Sequence, residues 1–403
     1  MLELADVLEA RERVRETSRH TPLTYSHTYS DMTGAAVHLK LENFQRTGAF
    51  KIRGATNRIQ TLSPEEQAAG VVTASAGNHA QGVALAATRA GVDSKIVMPE
   101  QAPIAKVKAT RSYGAEVVLA GANYDAAAER AHEIEREEGR TYVHAFDDEY
   151  VMAGQGTIGL EILEDCPDVE TVVVPIGGGG LIAGISTAIK AKRPDVRVVG
   201  VQSTGASSVA ASLEKGSVVT IDGVDTIADG IATRSVGEKT FSVIRERVDE
   251  VVTVTDEQIA MAVAHLLERS KTVVEGAGAV PLAAILFEAF DYDDGEVIVP
   301  LLSGGNIDLN MLTTVIVRGL IETGRYLKIQ TVLKDQPGAL EELLAIISGH
   351  RANIYAIQHD RTSRDIKMSD TEVEIDLETR GHDHVAELLE AIEDHGYAVE
   401  VLV

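Results

Sequence analysis

Glu42-Asn43-Phe44-Gln45-Arg46-Thr47-Gly48-Ala49-Phe50-Lys51-Ile52-Arg53-Gly54-Ala55 is the stretch on which the reading of this chain turns. It follows a strand-like run, Val37 to Leu41, and opens a helical pattern that extends to about Leu62. Lys51 falls just inside the helix start, near the positive end of the helix dipole, which disfavours its charged form. A neutral amine is what Schiff-base formation with an aldehyde requires. A lone first-turn lysine is ordinary. Three glycine-marked stretches downstream give this one its meaning.

Outward from that stretch, strand-like and helical runs alternate. The first series has strands at 71–73, 95–98, 116–119 and 142–144, with helices at 83–90, from Pro103, and at 124–138. The second has helices at 152–163, 181–192, 256–269, 278–290 and 309–323, with strands at 171–175, 197–202, 250–254 and 296–301. The segment 203–234 reads as loop-rich. Such alternation through short glycine turns implies an α/β fold, with parallel sheets carrying helices on both faces. Two series imply two lobes and a cleft between them. The expected first domain is 1–322, with a small lobe of about 45–150 inserted in the large one. From 326 to 403 the pattern becomes βαββαβ, the ferredoxin-like α+β split unit.

With 403 residues, the chain exceeds what one core holds. Its 37 basic residues face 62 acidic ones, a net charge of −25 that excludes a nucleic-acid or anionic-membrane surface. So many carboxylates repel one another, and salt screens that repulsion, which suggests adaptation to high salt. Cys166, the one cysteine, forms no internal disulfide and lies outside any nucleophile motif. The N-terminal residues lack the features of a signal peptide, and no apolar run would span a bilayer, so a cytoplasmic protein is expected.

Pro175-Ile176-Gly177-Gly178-Gly179-Gly180-Leu181 joins a strand to a helix. Glycines there let backbone N–H groups turn inward around an anion at a helix N-terminus. The spacing is neither that of a dinucleotide loop nor that of a P-loop, which leaves a small phosphate ester. Ser75-Ala76-Gly77-Asn78-His79-Ala80-Gln81-Gly82 is a second strand–turn–helix junction, where Ser75 and Asn78 offer donors and the helix start suits a carboxylate. Its blander reading is a helix cap by Ser75. Ser303-Gly304-Gly305-Asn306 is a third junction, at the C-terminal end of a strand, where open α/β sheets bind ligands.

Taken in this order, the lysine stretch, SAGNHAQG, GGGGL and SGGN resemble the fold-type II pyridoxal-phosphate enzymes over roughly residues 20–322. The match is closest to the threonine dehydratases (threonine ammonia-lyases) and extends to their relatives, the serine racemases. The tail, through Lys334-Asp335-Gln336-Pro337-Gly338-Ala339-Leu340 and its βαββαβ order, resembles an ACT regulatory domain.

The resemblance implies pyridoxal 5'-phosphate as cofactor and assigns roles by position. Lys51 would hold the cofactor covalently and move the Cα proton, and Phe50 would pack against its ring. Asn78 would meet the phenolic oxygen and Ser303 the pyridine nitrogen. Gly177, Gly178, Gly179, Gly180 and Leu181 would hold the phosphate, which would in turn relay a proton to the departing hydroxyl. Gly230 and Glu275 would line the cavity. Ser75, Asn78 and His79 would take the substrate carboxylate. L-Threonine and L-serine are the implied substrates, and 2-oxobutanoate, the product from threonine, leads to isoleucine. An ACT pair implies a homodimer or homotetramer, with isoleucine as a possible effector.

Two departures are informative. Racemases of this family carry a serine where Ala76 stands, so racemisation should be poor. Their divalent-cation ligands would fall near Gln202 and Ser208, neither a carboxylate, so no metal is expected. The rival readings are a catabolic serine/threonine dehydratase, a β-replacing enzyme of the same fold such as a cysteine or threonine synthase, and a catalytically inactive amino-acid sensor.

Overall fold

The computed structural model describes residues 2–361 and 367–403, and the chain divides into two compact units, 1–308 and 309–403. In the first unit a six-stranded sheet runs in the order Leu23–Tyr25, Ala36–Leu41, Val297–Leu302, Thr171–Pro175, Arg197–Ser203, Glu250–Val254. Only the first pair is antiparallel. A second sheet, all parallel, orders Glu116–Leu119, Ser94–Met98, Val71–Ala74 and Thr141–Tyr142. Every residue of Thr171–Pro175 and of Val71–Ala74 is buried. That is why these strands read as continuous apolar runs rather than as alternation.

The helix Lys51–Gln60 lies between the two sheets' cores. Its apolar face, Ile52, Ala55 and Ile59, enters the core around the smaller sheet. The opposite face meets the helix Glu149–Asp165 at a very close crossing: a Cβ at Gly154 would lie 2.6 Å from Gly54 Cα. Arg53 is buried on this face. It donates to Glu42 at 2.8 and 2.9 Å, to Glu161 at 2.6 and 2.9 Å, to Thr157 Oγ1 at 3.1 Å and to the Arg19 carbonyl at 2.9 Å. Lys40, fully buried, donates to Glu161 Oε2 at 2.7 Å. A buried guanidinium is tolerable only when its donors are satisfied, as these are.

The second unit opens with the helix Leu309–Glu322 and continues Tyr326–Lys334, Ala339–Gly349, Asn353–Asp360, Asp370–Glu378, His382–Asp394, Val399–Val401. Its antiparallel sheet, ordered second, third, first, fourth strand, has the βαββαβ connectivity read from the pattern. Leu327, Ile329 and Leu333 alternate into its core with Leu343, Ile347, Leu388 and Ile392 of the two helices.

Some boundaries differ from the sequence pattern. Helix Leu309–Glu322, expected with the catalytic domain, falls in the second compact unit, 309–403. The loop-rich segment 203–234 contains the helix Ser208–Lys215. A further helix, Glu238–Arg247, follows it. The residues Glu42–Phe44 form a short 3-10 turn, and the helix proper starts at Lys51.

Candidate active site

The strap before Lys51 lies antiparallel to the SGG turn. Phe50 N–H donates to the Ser303 carbonyl at 3.1 Å, Gly305 N–H donates to the Gly48 carbonyl at 2.9 Å, and Ala49 bridges Gly304. Gly48 is obligatory on two grounds. Its φ is +72°, and a Cβ would lie 2.4 Å from Asn306 Oδ1. These bonds put the lysine's helix start beside the end of strand Val297–Leu302, with Ser303 only 3% exposed.

Lys51 Nζ donates to the Ala145 carbonyl at 2.7 Å and lies 5.2 Å from the Phe50 ring centroid. Burial pushes its pKa down to about 8, with Glu275 pulling the other way. Desolvation is thus the leading cause, ahead of the charge pull. Burial pushes Glu275 up to about 7, opposed by the Asn78 hydrogen bond, Lys106 and the Asn306 N–H, and reinforced by Asp229. Asn78 Nδ2 donates to Glu275 Oε1 at 2.7 Å, and Asn306 Nδ2 donates to Asn78 Oδ1 at 2.8 Å. Gly230 abuts the same carboxylate, since its Cβ would lie 3.4 Å from Glu275 Oε1.

Gly77 N–H donates to Ser75 Oγ at 3.2 Å, and the helix Asn78–Ala90 starts without a side-chain cap. Its first-turn amides therefore remain available to a carboxylate. The His79 ring turns the other way: it is buried, its Nε2 meets the Val143 carbonyl at 2.9 Å, and burial, then Lys51, push its pKa down to about 3. It stays neutral. What His79 can offer at the helix start is its N–H.

The tetraglycine ends strand Thr171–Pro175 and starts helix Gly180–Lys192, again without a side-chain cap. A Cβ at Gly178 would sit 2.3 Å from the Phe146 ring, and Gly179 holds φ +90°. Thr240 Oγ1 donates to the Gly178 carbonyl at 2.7 Å, fixing the loop from behind. Ala183 N–H makes the first intrahelical bond, to Gly179, so the amides of Gly180, Leu181 and Ile182 lie in the first turn, ahead of the intrahelical ladder. Other helices here cap that turn with Ser26, Ser63, Asn123, Asp148 or Thr255.

The motifs did not single out the segment 144–147. Ala145 accepts from Lys51, Phe146 covers the tetraglycine, and Asp147 Oδ1 accepts the N–H groups of Lys239 and Thr240. The one available signal was its place just past a parallel strand's C-terminal end. Asn306 was quoted within its motif but given no role. At the positions of the expected cation ligands, Gln202 is held internally. Its Nε2 donates to the Ala206 carbonyl at 2.9 Å, and its Oε1 accepts Val209 N–H at 2.9 Å. Ser208 is fully buried. Among the described residues no cluster of His, Cys, Asp or Glu has the form of a metal site, and no helix is long and apolar enough to cross a membrane.

These residues fit one cofactor chemistry. An amine with a depressed pKa suits an aldehyde, a glycine cradle on a helix start suits a phosphate, and Ser303 and Asn78 provide neutral polar groups for a pyridine ring. The fold is that of a fold-type II pyridoxal-phosphate enzyme. Residues 14–304 match the family described as pyridoxal-phosphate dependent enzyme. An L-threonine ammonia-lyase of Geobacter sulfurreducens is 51% identical over 402 residues, covering 100% of both chains. A catabolic L-threonine dehydratase of Staphylococcus aureus is 48% identical over 323 residues, 79% of this chain and 93% of that one. Among solved structures, the processed form of threonine deaminase isoform 2 from Solanum lycopersicum aligns with TM-score 0.76 and 41% identity, covering 78% of this chain and 92% of that one. The chain belongs to the pyridoxal-phosphate dependent enzyme family.

Proposed function

We propose that this chain is a cytoplasmic threonine ammonia-lyase that converts L-threonine to 2-oxobutanoate and ammonia, and L-serine to pyruvate and ammonia. The observation that carries the reading is Lys51, whose amine, near a pKa of 8, is held by Ala145, one residue from the Phe146 that covers the glycine cradle. Relatives bearing the ammonia-lyase and dehydratase names support the substrate.

When bound, the cofactor supplies an electron sink for the bonds at the substrate's Cα. Gly177 to Gly180 and Leu181 would hold its phosphate through N–H groups, and Phe50 would pack on its ring. Ser303 offers its ring nitrogen a neutral hydroxyl. A carboxylate there would hold that nitrogen protonated, so serine favours elimination over transamination. Gly230 and Glu275 line the cavity. Ser75 and the backbone N–H groups of Asn78 and His79 take the substrate carboxylate and so orient its Cα–H towards Lys51, while the Asn78 side chain meets the ring oxygen of the cofactor. Lys51 Nζ, depressed towards neutrality, removes the α-proton. Ala76 holds no proton for the opposite face, so racemisation is slow.

The tail acts as an ACT regulatory module within a homodimer or homotetramer, with isoleucine as effector and isoleucine synthesis as the role. Support comes from full-length identity to the Geobacter relative, whereas the Staphylococcus relative matches only 79% of this chain. The second reading, a catabolic dehydratase, rests on that relative's name. Steady-state kinetics on threonine and serine, with and without isoleucine, test both. Threonine turnover with isoleucine inhibition is expected, and no 2-oxo acid from either substrate would overturn the proposal. Isoleucine binding in equilibrium dialysis supports the regulatory part, and no binding at millimolar ligand leaves the tail an assembly module.

A further inference from the structure

Asn306, Asn78 and Glu275 form a hydrogen-bonded chain that has a direction. Asn306 Nδ2 donates to the Thr47 carbonyl at 2.7 Å and to Asn78 Oδ1 at 2.8 Å, and Asn78 Nδ2 donates to Glu275 Oε1 at 2.7 Å. The two ends set its polarity. A peptide carbonyl only accepts, so Asn306 must turn its NH2 group towards Thr47. The same NH2 reaches Asn78, so Asn78 must present its oxygen there. Its own NH2 is then left for Glu275, which accepts when ionised. Turning either amide over would set oxygen against oxygen in a partly buried site, at the cost of two hydrogen bonds.

The far end is held as firmly. The Asn306 backbone N–H also donates to the Glu275 carboxylate. A Cβ at Gly304 would lie 2.4 Å from Glu275 Oε1, so the carboxylate sits in space that only a glycine there leaves open. The near end is buried too, with Thr47 2% exposed. A side-chain amide has two N–H bonds, and Asn78 spends one on Glu275. What it keeps for a ligand is therefore a donor.

We propose that Asn306 is a positioning residue that fixes the polarity of the Asn78 amide, so that Asn78 offers an N–H, and not its oxygen, to the ring oxygen of the bound cofactor. This rests on the reading of Asn78 as the contact to that oxygen. A donor stabilises the ionised ring oxygen, which keeps the proton on the nitrogen that joins the cofactor to Lys51 and gives the visible band. An acceptor would favour the protonated oxygen, which absorbs at shorter wavelength. No atom is gained or lost, because the two forms differ only in where one proton sits.

The test is the ratio of the two bands in holoenzyme at fixed pH, for the unaltered protein, Asn306→Asp and Asn306→Ala. In Asn306→Asp the new carboxylate has no donor for Thr47 or Asn78, so the Asn78 amide turns its NH2 towards it. The visible-to-short-wavelength ratio should fall about tenfold, the shift one lost hydrogen bond to a charged oxygen produces. Asn306→Ala, which removes the donor but leaves Glu275 to hold the amide, should move it in the same direction by less, and decides the matter if Asn306→Asp does not fold. A purely structural role would lower cofactor affinity or the melting temperature and leave the ratio alone. An unchanged ratio in a variant that binds cofactor overturns the proposal. Absence of any visible band in the unaltered protein would instead strike the reading on which the proposal rests.

Discussion

Lys51 Nζ lies 2.7 Å from the carbonyl oxygen of Ala145, and the next residue along, Phe146, rests on Gly178. The amine and the anion cradle are thus linked through two consecutive residues that leave the strand Thr141–Tyr142. A change in that short segment should reach both.

Phe146→Ala should leave the fold intact yet weaken cofactor binding about tenfold, the effect of roughly 1.4 kcal/mol of lost packing. Gly178→Ala places a methyl group where the ring lies, 2.3 Å away, and should weaken binding further. Fluorescence titration of the apoprotein with the cofactor measures both.

Arg53→Met leaves Glu42 and Glu161 facing one another without their shared cation. The loss should be about 3–5 kcal/mol, the range for breaking a buried pair. Adding Glu42→Gln to the same chain should restore part of it, because Glu161 still has Lys40 as its partner. Urea midpoints of the single and double variants give the comparison.

The sequence made the catalytic architecture plain where one physical signal dominated. Thr171–Pro175 is buried throughout and read as a continuous apolar run, and the four glycines after it had no side chain to obscure their meaning. The helix Tyr124–Glu138 matches its pattern at both ends because Asn123 caps one and Gly139, in the left-handed region, closes the other. The helix Leu309–Glu322 was harder to place, because an amphipathic stripe does not say which core receives it. Asn306 and Ala145 were harder still. A backbone carbonyl carries no side-chain signature, and an asparagine after two glycines reads as a turn until its neighbours are known.

Glu275 gives the apoprotein a specific pH dependence. Its pKa rises from 4.5 to about 7 on folding, chiefly by burial, so between those values the folded state binds more protons than the unfolded state. Stability from this group is complete below 4.5 and is lost as the pH rises through about 7. Glu275→Gln should flatten that decline and stabilise the apoprotein at pH 8 by up to about 3 kcal/mol. Chemical unfolding of both forms at pH 5 and pH 8 provides the check.

The net charge of −25 predicts that potassium chloride raises the unfolding midpoint, because screening relieves carboxylate repulsion. A midpoint indifferent to salt would mean the acidic surface is no adaptation to high ionic strength.

Reduction of the holoenzyme with borohydride, followed by peptide mapping, tests the central claim most directly. The account predicts a cofactor label on Lys51 alone, and none in Lys51→Ala, whose fold persists while turnover falls by about a thousandfold or more. A label on any other residue, or normal turnover in Lys51→Ala, would contradict it.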